Sequence, residues 1–125
     1  MKIIVVMNHK PTDEQIVQLL SMGYTDIEFR QHPQIPPEWD MENVRSLFLE
    51  TLGASKGVLP IEDLPDALWV QGDYRFFMSA VEFAVSFEIP LYVATTKREV
   101  KEEKTPDGSV RKISIFRHVK FIRVA

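Results

Sequence analysis

Two short apolar runs in this chain stop abruptly in polar groups: Ala67-Leu-Trp-Val-Gln-Gly-Asp-Tyr74 and Ile89-Pro-Leu-Tyr-Val-Ala-Thr-Thr-Lys-Arg98. Between them lies a nearly uncharged segment whose apolar residues Phe76, Phe77, Ala80, Val81, Phe83, Ala84 and Phe87 recur at helical spacing. The pattern predicts a strand, a crossover helix and a second, parallel strand. Both strands then release their polar residues at their carboxyl ends, the edge at which open parallel sheets bind ligands. The helix is apolar over more than half its circumference, so it needs cover on two sides: the sheet, and a second surface such as another copy of the chain.

The flanking segments extend this unit. Lys2 to Met7 reads as a buried strand, and Asn8-His9-Lys10-Pro11 as the loop leaving it. Thr12 and Gln15 form a capping box that starts a helix at Asp13, running to about Met22 with Ile16, Leu19 and Leu20 inward and Gly23 as its stop. A strand over Thr25 to Arg30 completes a right-handed βαβ unit. Pro33, Pro36 and Pro37 break regular structure over 31–40, and a helix follows from Met41 to Leu52. After Thr96, the turn Thr105-Pro-Asp-Gly108 separates a charged run from an alternating one, which predicts an antiparallel hairpin with a bulge near Arg117. The expected fold is one α/β domain over 1–125: a Rossmann-like, mainly parallel sheet flanked by helices, with a C-terminal antiparallel β-hairpin.

A chain of 125 residues is long enough to bury a core without staples, and it has no cysteine for disulfides or thiolate metal sites. No apolar stretch approaches the ~20 residues of a membrane span, and Met1 to Met7 is too short and too β-branched for a signal peptide. A cytoplasmic protein without membrane contact is therefore expected. Residues 1–96 hold 6 Lys/Arg against 14 Asp/Glu, a net of −8, whereas residues 97–125 hold 9 against 4, a net of +5. The overall −3 argues against indiscriminate DNA binding, while the split permits a local anion site on an acidic body.

The polar residues at the predicted sheet edge are Asn8 and His9, Gln71 to Asp73, and Thr95 to Arg98. Amide, imidazole, hydroxyl and cationic groups together suit the holding of a phosphate ester and the movement of a proton. Gly72 before a helix suggests close approach of a phosphate to free backbone N–H groups, although Asp73 is equally well explained as the cap of the helix from Tyr74. Lys97 and Arg98 are candidate phosphate clamps, and His118 with Arg117, Lys120 and Arg123 either adds to that field or faces water. The histidines at 9, 32 and 118 lie in unrelated segments, and no HExxH, GxGxxG, Walker A or GxSxG pattern occurs.

Taken together, Asn8-His9, Val70-Gln-Gly-Asp73, Tyr92-Val-Ala-Thr-Thr-Lys-Arg98, Asp107-Gly108 and Phe116-Arg-His-Val-Lys-Phe121 resemble the small stand-alone ring nucleases of type III CRISPR systems, members of the CRISPR-associated Rossmann fold superfamily. The resemblance spans the chain except for roughly 31–62. It implies a homodimer that binds and cuts cyclic tetra-adenylate, with no metal or other cofactor, through attack of a ribose 2′-hydroxyl that leaves a 2′,3′-cyclic phosphate. It further implies His9 as the first choice for proton transfer and His118 as the second. Asn8, Gln71, Thr95 and Thr96 would be hydrogen-bonding groups, and Lys97 and Arg98 phosphate stabilisers. The chain departs from the family at Tyr74-Arg75-Phe76, bulky where members carry small residues, so that Arg75 would replace the helix-start cradle with a side-chain contact. The alternative is a protein that sequesters the ring without cutting it.

Overall fold

The computed structural model describes residues 1–125. Its elements are β1 (Lys2–Met7), α1 (Asp13–Ser21), β2 (Asp26–Gln31), α2 (Met41–Thr51), β3 (Ala67–Val70), α3 (Tyr74–Phe87), β4 (Leu91–Lys104) and β5 (Val110–Arg123), with one 3-10 turn over Ile61–Asp63. They build a five-stranded sheet in the order β2-β1-β3-β4-β5, parallel except for the antiparallel pair β4-β5. The predicted α/β class with its C-terminal hairpin is the observed one.

β1 and β3 are buried on both faces, and their runs Ile3 to Val6 and Ala67 to Val70 are fully covered. Covered parallel strands carry continuous apolar sequence for this reason. One face packs Ile3, Val5, Ala67, Trp69 and Phe121 against Leu19 of α1. The other packs Ile4, Val6, Leu68, Val70 and Leu91 against Val44 and Phe48 of α2 and Phe76, Ala80 and Phe83 of α3. Because the chain moves one way from β1 to β2 and the other way afterwards, right-handed crossovers put α1 alone on its face. The order reverses between β1 and β3, which opens a crevice at their carboxyl ends.

The capping box at α1 forms as the sequence requires: Gln15 N–H donates to Thr12 Oγ1 at 3.3 Å, and Thr12 N–H donates to Gln15 Oε1 at 2.9 Å. Leu19 faces inward, but Leu20 is exposed, and Gln15 is buried because the box holds its side chain against the chain. The second cover of α3 is α2 of the same chain rather than another copy, with Phe48 stacked edge-on against Phe76 and Phe83.

β4 and β5 run far past the rest of the sheet. β3 pairs with β4 only at Leu68↔Leu91 and Trp69↔Tyr92, whereas β4 and β5 stay paired to Lys104↔Val110. The ladder slips at Thr95/Thr96, where Thr95 faces Lys120 and Thr96 faces His118, so Val119 is the extra residue. This bulge lies two residues beyond the predicted position. It turns His118 onto the same side as Phe121, three residues away, where unbroken alternation would have put them on opposite sides.

Candidate functional site

A cleft of about 450 Å³ opens at the β1/β3 crevice. Its walls come from the β1 exit (His9, Lys10), the start of α1 (Thr12, Glu14), the end of β3 (Trp69, Gln71) and the base of the β4-β5 arm (Ala94, Thr96, Phe116, His118). A neighbouring hollow of about 230 Å³ shares His9 and Gln71 and adds Asn8 and Gly72. Of the residues singled out in sequence, His9, Gln71, Thr96 and His118 therefore meet in one cleft, with Asn8 and Gly72 beside it.

Gln71 is held in one orientation. Its Oε1 accepts the indole N–H of Trp69 at 2.6 Å and the backbone N–H of Ala94 at 3.2 Å. The second bond continues the sheet ladder where β3 has ended and β4 goes on. Two donors on Oε1 fix the amide, so its NH₂ faces away from them as a pair of donors without a partner in the chain. Such a group is suited to phosphate or carbonyl oxygens of a ligand.

The two cleft imidazoles differ. His9 is exposed and makes no hydrogen bond within the chain. His118 stacks on Phe121 at 4.9 Å, and its Nε2 bonds Gln18 Oε1 of α1. Its Nδ1 is buried with no partner. As that amide is oriented, Nε2 is the donor of this bond, and Nδ1 is shut away from solvent. His9 is consequently the imidazole free to exchange a proton.

The start of α3 is organised otherwise than expected. Gly72 does admit a close approach, at φ +151°, but of His32: a Cβ on Gly72 would lie 2.3 Å from the His32 ring. His32 is buried, with Nδ1 2.7 Å from the Pro33 carbonyl and Nε2 accepting the Asp73 N–H at 3.3 Å. A carbonyl only accepts, so Nδ1 donates to Pro33 while Nε2 accepts from Asp73. Asp73 is the cap of α3, accepting the Arg75 N–H at 2.8 Å. It also pairs with the Arg75 guanidinium at 2.9 Å, which holds its carboxyl down at about 2. Arg75 Nη1 donates to the carbonyls of Pro36 at 3.1 Å and Trp39 at 2.8 Å. The backbone N–H groups of Asp73 and Arg75 are already engaged, and Arg75 pins the proline-rich segment instead of reaching for a ligand. Tyr74 is 88 % exposed and lines neither hollow.

Strand alternation separates the remaining candidates. Thr96 and Arg98 share the cleft side of β4, whereas Thr95 and Lys97 project from the reverse side. Thr95 Oγ1 donates to the Lys120 carbonyl at 3.0 Å. Arg98 lies beyond the cleft, where its Nη2 donates to Ser114 Oγ at 2.8 Å. Lys10 supplies the cation of the cleft in their place. Sequence reasoning passed over Lys10 although it adjoins Asn8-His9, and missed the lock that Trp69 places on Gln71, for which spacing of two on one strand face was the available signal.

No three His, Asp or Glu side chains stand close enough together to hold a metal ion. No helix is long and apolar enough to cross a membrane. A family model matches residues 1–122, that of the uncharacterized protein MJ1673 family. No curated protein and no solved structure matches the chain.

Proposed function

The chain belongs to the uncharacterized protein MJ1673 family, and for this member we propose a metal-independent ring nuclease that binds cyclic tetra-adenylate, the second messenger of type III CRISPR signalling, and opens it to switch the response off. What supports the reading is the convergence of His9, Gln71, Thr96 and His118 on one cleft at the switch point of the sheet. Those residues belong to the motifs that carry the sequence resemblance.

In this chemistry the ribose 2′-hydroxyl oxygen bonds to the neighbouring phosphorus while the P–O5′ bond breaks. The products are a 2′,3′-cyclic phosphate and a 5′-hydroxyl. The nucleophile comes from the substrate, so the protein's task is orientation and charge stabilisation. His9 moves the proton, and the fixed NH₂ of Gln71, the Thr96 hydroxyl and Lys10 hold phosphate oxygens. A cleft of about 450 Å³ is in the range of pockets for one small ligand, roughly 300–1,000 Å³. A ring of four nucleotides extends well beyond it, which fits two copies sharing one ring.

One observation favours sequestration instead. The reaction needs one proton removed and one delivered, yet His9 is the single cleft imidazole with an unpartnered nitrogen that is not buried. Incubation with cyclic tetra-adenylate and a chelator, followed by chromatography, separates the readings. Linear product ending in 2′,3′-cyclic phosphate supports cutting, intact but retained ring supports sequestration, and an unbound ring rejects both. In the enzyme, His9→Ala is expected to slow cutting about 100-fold or more while ring affinity changes only a few-fold.

A further inference from the structure

We propose that the β4-β5 arm is a docking element for a second copy of this chain, laid with its cleft-facing side on the acidic body of the partner. The inference rests on the paired state proposed above and assigns its surface. From Val93 to Lys104 the only sheet neighbour of β4 is β5, and β5 is itself an edge strand. A two-stranded ribbon is marginal in water without a third surface to pack on.

The two sides of the ribbon differ in where the ion pairs lie. On the reverse side, Arg117 pairs with Glu99 at 2.9 Å and Arg111 with Glu103 at 3.4 Å. On the cleft-facing side, Val100, Val110 and Phe116 are 55 %, 56 % and 69 % exposed, and Lys104 and Lys112 make no ion pair. That side sets three exposed apolar side chains around the Arg98–Ser114 pair, and at its tip two lysines outnumber the single carboxylate of Glu102. Its natural complement is an acidic surface, and residues 1–96 of this same chain carry a net charge of −8 against +5 for residues 97–125.

Size decides between two ways of pairing. At ~3.3 Å per residue the free ribbon is roughly 40 Å long and about 10 Å wide, so one side offers on the order of 400 Å². Arm against arm gives only that much per partner, half the ~800 Å² of a standard stable interface. Two arms, each lying on the other copy's body about a two-fold axis, bury an arm and a receiving surface on each copy and reach it. The base of the arm is the cleft wall, through Thr96, Phe116 and His118, so this pairing stands each copy beside the other's cleft mouth.

The test is sedimentation velocity on the full chain over a dilution series without nucleotide, for wild type, Val100→Glu/Val110→Glu and Val85→Glu. Val85 is 66 % exposed on α3 and probes the competing helical surface. The expected result is a wild-type dimer that weakens as salt rises. The arm variant should dissociate at least about tenfold more readily, and the Val85 variant should pair as wild type does. A monomeric wild type, an arm variant that still pairs, or dissociation caused by Val85→Glu alone overturns the proposal. Concentration-dependent hydrogen-exchange protection of the arm amides in wild type gives the same decision should the arm variant fold poorly. A dimer that needs the arm yet leaves cyclic tetra-adenylate untouched retains this inference and rejects only the proposed activity.

Discussion

The β3-α3 turn and the β1 exit facing the arm base are both strand ends with ligand-like residues, yet they are built for opposite purposes. At the turn, Gly72, Asp73 and Arg75 are engaged by His32, by the first turn of α3 and by the carbonyls of Pro36 and Trp39. Across the crevice His9 has no partner, and on the cleft side of the β3 end Gln71 is locked by Trp69 and Ala94 so that its donors stay free. A polar residue at a sheet edge serves a ligand only where the chain has not already satisfied it. The buried, engaged imidazole of His32 and the open one of His9 state the same contrast in a single residue type.

The largest expected effect tests the saturated side. Gly72→Ala drives a Cβ into the His32 ring from a backbone conformation unsuited to an L side chain, and is expected to destabilise the fold by about 2–4 kcal/mol. Chemical denaturation measures it. Gly72→Ala combined with His32→Ala should recover part of the loss, since the clash goes with the ring; no recovery at all would break the packing account.

A smaller effect concerns Arg75. Arg75→Ala is expected to lower the Tm by about 5 °C while leaving ring binding near wild type, because its donors hold the 36–39 segment rather than the cleft. Asp73 supplies a pH signature of the same contact. Its carboxyl is held at about 2, below the ordinary ~4, so its contribution to stability is present above pH ~4 and lost as the pH falls from about 4 towards 2. Acid titration of the Tm should show a shallower fall in that window for Arg75→Ala than for wild type.

The smallest effect sharpens the open side. Lys97→Ala should change stability by less than about 0.5 kcal/mol and leave ring affinity within about twofold, whereas Lys10→Ala should weaken affinity by about tenfold. Isothermal titration with cyclic tetra-adenylate reads both. Equal losses for the two variants would mean that the reverse side of the arm also touches the ring.

Much of the scaffold was legible because its determinants are local. The Thr12/Gln15 box, the covered runs of β1 and β3 and the turn at Thr105 to Gly108 each depend on residues within a few positions of one another. The segregation of α3 was legible too, but not its second cover, since nothing in the spacing of Phe76 and Phe83 says that Phe48 meets them. The candidate cleft was half legible. His9 and Gln71 follow from strand ends alone, whereas the membership of His118 depends on a one-residue bulge at Val119, which the hairpin pattern placed two residues too early.

By itself, then, the order of residues determined the α/β alternation, the carboxyl-edge location of the unsatisfied polar groups and the acidic-to-basic change along the chain. Those properties come from backbone preference, apolar periodicity and charge count, all of which act over short distances. Only the tertiary structure decided that Gly72 makes room for His32 and not for a phosphate, that Lys97 turns away while Lys10 turns in, and that Gln71 presents its donors. The physical reason is that hydrogen-bond satisfaction belongs to pairs of groups, and the partners here lie tens of residues apart until the sheet brings them together.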